Sequence, residues 1–401
     1  MKLSHTPPVH LTYCLNIHPG ESWEENLASI RTHALAIKNL VSPDRPFGLG
    51  LRLSARAAEE LLQPRAISSF RDFLAEKSLY VFSVNAFPFG SFHGETVKEK
   101  VYAPDWRSKE RLSYTQNVAR ILCSLALPEA FASISTVPGS YLHWIRNRED
   151  EAALAENLAR AGAFLAEMEK ETGNRIGLAL EPEPDCFLEN AADLADFFAR
   201  VLLPIGAPLA ARLLSCSETD AQEVLLRHLG ACLDTCHMAV CFEDAAQAIE
   251  TLSRNRISIF KMQLSAAPAF SWPVRPERLL SFSDSVYLHQ ARLKTVDKIL
   301  RFADLEDAVR AGSEIAVPGS QLRVHCHVPI FFPGDADLGT TAGILTPELL
   351  RLAGRAGCRH FEVETYTFLV LPPELQRQGV TESIARELAF AESLLAASFP
   401  V

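Results

Sequence analysis

Membrane-length apolar runs, paired cysteines and surplus positive charge are all missing from this chain. The nine cysteines contain no C-x-x-C pair, which excludes a zinc ribbon. Their odd number and scatter through apolar runs argue for reduced thiols rather than a disulfide framework. Lysine and arginine number 39 against 49 aspartate and glutamate, a formal net charge of -10, a poor basis for gripping a nucleic-acid backbone. No run of about 18 apolar residues suggests a membrane span. The N-terminal stretch MKLSHTPPVH has no apolar signal core. Nothing repeats at a short period and no linker divides the chain. The expectation is a cytoplasmic protein with neither a nucleic-acid partner nor a membrane span.

What is present is material for a large core: 401 residues, 48% hydrophobic and 22% charged. Apolar, β-rich runs fall at 10–18, 48–53, 79–87, 131–137, 176–181, 231–234, 257–264, 322–330 and 360–367, with amphipathic helical patterns between them. That alternation predicts an α/β fold, a (β/α)8 TIM barrel, as one domain over 1–401. Ser54 and Ser217 stand at helix starts, the latter with Asp220 three residues on. Nine runs exceed the eight a barrel needs. One of the last three is therefore an extra strand or part of an insertion at about 265–321, before the last strands. Segments of that length between barrel elements serve as lids, interface arms or cavity walls, or as peripheral ornament.

Polar groups cluster where strands end. Glu181 and Glu183 share a strand face by alternation, as do Lys261 and Gln263, His325 and His327, and Glu362 and Glu364. In the stretch Leu233-Asp-Thr-Cys-His-Met238, Asp234 closes a strand and His237 belongs to the turn after it. A lone histidine in an apolar run is more often a satisfied core residue than a ligand, and a lone buried glutamate usually pairs with arginine. Several buried carboxylates together cost several kcal/mol unless a positive group neutralises them. A divalent cation bound by Glu181, Asp234, one histidine and Glu364 would do so. Mixed oxygen and nitrogen donors suit Mn²⁺, Co²⁺, Zn²⁺, Fe²⁺ or Mg²⁺ without choosing among them. The aromatic segment 85–90 with His93, and residues 18–21, follow two other strands. Their ordinary readings are a packed loop and a helix start; as site elements they would line the pocket.

Glu181, Asp234-Thr-Cys-His237-Met and Glu364, in that order, resemble the xylose-isomerase-like superfamily of sugar isomerases, 3-epimerases and endonuclease IV. Its ketose 3-epimerases carry a very similar D-T-x-H-M stretch. The resemblance implies that Glu181, Asp234 and Glu364 ligate a metal and that His237 contacts substrate. The expected histidine on the next strand is replaced by Gln263. Either Gln263 is a weak ligand or His325 or His327 has taken the post. Glu181-Pro-Glu183-Pro resembles the E-P-K-P of xylose isomerases with Glu183 in place of the lysine, which counts against a hydride shift. Over nearly the whole chain, LTYCLNIHPGESWEE, FPFGSFHGETVKEKVYAPDW, VHCHVPIFF and HFEVETYTF resemble the metabolite-traffic family of bacterial Ebo-type clusters (EboE-like).

These readings imply a metal-dependent isomerase or epimerase acting on a sugar-like small metabolite. Glu181, Glu364 and His237 are its catalytic candidates, and His237, Glu183, Lys261 and His93 its substrate contacts. Gln263, His325 and His327 compete to complete the metal shell of Glu181, Asp234 and Glu364. The alternative is a non-catalytic metabolite-binding protein on the same fold. An endonuclease IV-like enzyme needs histidines on early strands, and 48–54 and 131–140 have none. Homo-oligomers and pathway partner proteins stay open.

Overall fold

A computed structural model of the chain describes residues 1–3, 8–93, 96–125 and 127–399. Gly94 and Glu95 of the second quoted motif, and residues 4–7 of the N-terminal stretch, lie outside them. Eight parallel strands form the barrel: β1 (Val9–Tyr13), β2 (Phe47–Arg52), β3 (Leu79–Asn85), β4 (Phe131–Thr136), β5 (Arg175–Leu180), β6 (Leu229–Asp234), β7 (Ile259–Leu264) and β8 (His360–Val363). Their order is β1-β8-β7-β6-β5-β4-β3-β2, with the short strand Lys2–Leu3 antiparallel outside β1. The seam between β1 and β2 is narrowed by a parallel bridge from Cys14 to Gly50 and by Thr12 Oγ1 donating to Gly48 O at 2.7 Å. The chain is thus a nearly closed TIM barrel, as the alternation of runs predicts.

Local sequence sets where helices begin. Ser54 accepts a hydrogen bond from Ala57 N, Asn147 from Asp150 N and Ser217 from Asp220 N, each satisfying an otherwise orphaned amide. The helical run Ala191–Leu214 departs from expectation. It is long and apolar enough to cross a membrane by length and composition, with a mean hydropathy of 1.5. It packs instead on the helix Arg148–Thr172.

The ninth apolar run is not a barrel strand. Gln321–Val324 belongs to a separate five-stranded antiparallel sheet in the order Ile299–Phe302, Ala291–Lys294, Gln321–Val324, Pro268–Ser271, Gly339–Thr340. The excursion from β7 therefore continues to Thr340, past the expected end at 321. The surplus run is thus one of the last three, as expected, and belongs to the insertion. Two buried contacts bind this sheet to the barrel's C-terminal end. Arg292 reaches Asp185 at 2.7 Å and Glu189 at 2.5 Å on the segment after β5, and Ala266 bridges to Val328.

The barrel interior is layered. At the N-terminal end His10, Phe82, Phe131 and His360 pack edge to face or tilted, and Ser133 Oγ meets His360 Nδ1 at 2.8 Å. Above them Lys261 and Glu362, both fully buried, lie 3.1 Å apart. Gly50 makes room for this pair, since a Cβ there would stand 2.7 Å from the Glu362 carboxylate. The next layer up is the mouth.

Candidate metal centre and barrel-mouth cavity

Asp234 ends β6 and caps the short helix Thr235–Val240. Its Oδ1 accepts from Cys236 N at 2.7 Å, His237 N at 3.0 Å and Ser265 Oγ at 2.6 Å. The capping role fixes the carboxylate plane and leaves Oδ2 buried without a hydrogen-bond partner among the described residues. Glu181, just past β5, likewise has a buried, unpartnered Oε2, and His327 an unpartnered Nε2. Single ligand atoms of Glu181, Asp234 and Glu364 lie within 4.8 Å of one another, and so do those of Asp234, His237 and His327. Asp234 belongs to both triads.

Gln263 and His327 are placed differently at the fourth corner. Gln263 turns its amide Nε2 to Glu364 Oε2 and accepts at Oε1 from Cys232 Sγ at 2.8 Å. Its oxygen is thus turned to the thiol, and its amide steadies a carboxylate. His327 presents the opposite case. Its Nδ1 lies 2.8 Å from Glu364 O, so Nδ1–H donates to that carbonyl and Nε2 keeps a free lone pair. The histidine comes from just beyond the strand of the inserted sheet, not from β7.

Charge follows this layout. Burial, with Asp234 and Glu183 adding to it, pushes the Glu181 carboxyl up to about 8. Burial, then Glu181 and Asp234, raise Glu364 well above the usual range. Burial would raise Asp234 too, but His237, His327 and the Ser265 hydrogen bond hold it below its ordinary value. Burial takes His327 down to about 4 although Asp234 opposes the shift. For His237, burial is outweighed by Asp234, Glu183 and Glu181, and its pKa rises. Its Nε2 faces His325 Nε2 at 3.0 Å, while burial and the His237 charge hold His325 well below the normal range.

Over this floor opens a cavity of about 530 Å³, which includes its open mouth. Glu181, Glu183, His237, His325 and Glu364 reach it, as do Asn85 and Phe87 of the aromatic loop. Sequence reasoning missed Asn16, Tyr102, Tyr287 and Tyr366, which also line it. Asn16 Nδ2 donates to Glu364 Oε1 at 2.6 Å, and Tyr102 OH donates to Glu183 Oε1 at 2.6 Å. Tyr366 stands two residues past Glu364, and that spacing was the available signal.

Two expected substrate contacts are corrected. Lys261 does not reach the cavity; it is spent on Glu362 and Ser135 a layer below. His93 stands behind the lining, holding Asn16 O at 2.6 Å and Tyr287 OH at 2.8 Å. Segment 18–21 is a packed helix start: His18 stacks on His33 and Glu21 pairs with Arg52.

Comparison with solved structures agrees with the architecture. A protein from Mycobacterium smegmatis, described as a xylose isomerase-like TIM barrel protein in complex with magnesium, matches at TM-score 0.52 and 10% identity over 99% of this chain and 100% of its own. The fold is a xylose isomerase-like TIM barrel. D-psicose 3-epimerase from Clostridium cellulolyticum H10, with D-tagatose, matches at TM-score 0.47 and 12% identity over 97% of this chain and 98% of that one. The IOLI protein with a zinc atom matches at TM-score 0.47 and 10% identity over 98% and 100%. At such identities the likeness speaks for the fold alone. No family model and no curated protein matches the chain.

Proposed function

We propose that this xylose isomerase-like barrel is a divalent-metal-dependent isomerase or epimerase acting on a small polyhydroxylated, sugar-like metabolite. One observation carries the reading. Asp234 is shared by two buried clusters, one with Glu181 and Glu364 and one with His237 and His327, and atoms of Glu181, Asp234 and His327 lack hydrogen-bond partners among the described residues. Burying such donors unpaired is costly, and a cation removes the cost. Glu181, Asp234 and Glu364 would hold it, with His327 on the Asp234 side as fourth donor in place of Gln263. Such a cation supplies Lewis-acid polarisation of adjacent substrate oxygens. Glu181 and Glu364 are the proton acceptor and donor, poised by burial and mutual repulsion. His237 and Glu183 meet substrate hydroxyls, and Phe87, Tyr102 and Tyr366 pack on its apolar faces. The resemblance of four motifs to the Ebo-type metabolite-traffic family supports a place in secondary-metabolite handling.

The test is metal content of the purified protein, followed by turnover of a panel of ketoses and ketose phosphates by wild type and Glu364→Gln. Stoichiometric metal with turnover that Glu364→Gln abolishes is expected. Metal-free protein with no turnover after reconstitution sinks the proposal.

A binding-only protein on this fold is favoured by one feature: both Glu364 oxygens already hold amide donors, from Asn16, Asn85 and Gln263. Ligand stabilisation that chelation leaves unchanged decides for this second reading.

A further inference from the structure

A second cleft opens away from the barrel mouth and shares no lining residue with it. It encloses about 660 Å³, open to solvent, between the segment after His327 and the start of the C-terminal helix Val380–Ser398. Its walls differ in kind. One is apolar, made by Phe331 and Phe332 between Pro329 and Pro333. The other carries Arg377 and Arg386.

Three observations point to an anion there. The Ser383 hydroxyl is 2% exposed, lines the cleft and has no hydrogen-bond partner among the described residues. A buried donor of that kind is normally satisfied, so an unpaired one on a residue lining a cleft marks a place for a ligand atom. The helix it sits on is 19 residues long and begins at Gly379 with no side-chain cap, and Ser383 and Arg386 of its first two turns line the cleft. Neither arginine has a carboxylate within ion-pair distance among the described residues, in a chain whose formal net charge is -10. Arg386 is held in place instead by Gln378 and by the Phe331 ring, 3.9 Å below its guanidinium.

We propose that this cleft binds a small organic anion: a carboxylate or phosphate, met by Arg377, Arg386 and Ser383, attached to a flat apolar body that lies on Phe331 and Phe332. Bidentate guanidinium recognition suits either head group. The site is independent of the metal centre. The segment that walls it nevertheless continues from His327, and Glu387, one helical turn after Ser383, accepts from Ile330 N at 3.0 Å and Thr365 Oγ1 at 2.8 Å.

The experiment is calorimetric titration of chelator-treated full-length protein with phenyl phosphate and with benzoate, benzyl alcohol serving as the neutral control. Saturable one-to-one binding of at least one anion is expected, with no binding of the alcohol. Affinity should fall at least about tenfold in Arg377→Gln/Arg386→Gln and severalfold in Ser383→Ala. It should stay unchanged in Asp234→Asn, which separates this site from the barrel mouth. Circular dichroism and melting of each variant establish that it folds. Absence of saturable binding of both anions to the unaltered protein overturns the proposal, as does binding that the double arginine variant leaves within twofold. Inorganic phosphate binding as tightly as phenyl phosphate overturns the part assigned to the aromatic wall.

Discussion

Two layers of the same barrel, about two residues apart along the strands, treat buried charge in opposite ways. The lower layer closes its own account: Lys261 and Glu362 neutralise each other 3.1 Å apart, as a charge–charge contact rather than a well-aligned hydrogen bond. Burial would lower the lysine pKa, but Glu362, with Cys232, Cys14 and Glu181 adding to it, raises it. Both layers leave carboxylate oxygens without hydrogen bonds, but the mouth cluster of Glu181, Asp234 and Glu364 has no lysine or arginine in it among the described residues. A pair that is complete inside the protein holds the structure together. A set that is incomplete inside the protein needs something from outside, and that asymmetry separates a structural polar layer from a functional one.

The comparison breaks most sharply by removing one member of the lower pair. Lys261→Met alone should cost about 3–5 kcal/mol in urea unfolding, because Glu362 is then stranded. A loss below about 1 kcal/mol would show that the lower layer is not self-contained. The upper layer behaves oppositely toward metal. Mn²⁺ or Co²⁺ at a hundredfold excess over its Kd should stabilise wild type by about 2.7 kcal/mol. Asp234→Asn should show no such gain, and a gain retained there removes Asp234 from the site.

Finer still is the ranking of His327 against Gln263. By titration calorimetry Gln263→Ala should weaken metal affinity about 10–100-fold, as loss of a group that steadies a ligand does. His327→Ala should weaken it further. The reverse order would make Gln263 the ligand.

The smallest effect concerns a carboxyl remote from both layers. Burial raises Glu243 to about 7, with Asp193 and Glu189 adding to the shift although Ala191 N lowers it. An acid whose folded pKa is raised binds more protons folded than unfolded. Its contribution is present below pH 4.5 and fades as pH rises through about 7. Glu243→Gln should therefore flatten the decline in unfolding free energy between about pH 5 and 8. An unchanged slope refutes this.

Much of this was legible in the sequence because parallel barrel strands, covered on both faces, must be continuously apolar until they end. Asp234 was legible for a related reason: a carboxylate at the end of such a run has few roles besides capping and ligation. What stayed hidden was three-dimensional. Lys261 and Gln263 share a strand face, yet two residues of depth separate an ion-paired interior lysine from the mouth. His325 and His327 read as strand residues by alternation, and the strand stops at Val324. Asn16 sits in a quoted motif that gave it no role, and Tyr287 sits in none; only closure of the barrel and docking of the inserted sheet bring them to Glu364 and its cavity.

His327 reaches the mouth from an excursion that leaves the barrel after β7 and returns only at Thr340. Its meeting with Asp234 spans a long sequence separation, and closing such a loop carries an entropic cost. Without the second sheet, Asp234 has only His237 as a neighbouring nitrogen. His327 joins them when that sheet docks through Arg292 on Asp185 and Glu189. Tight metal capture thus reports that the inserted segment has found its place on the barrel.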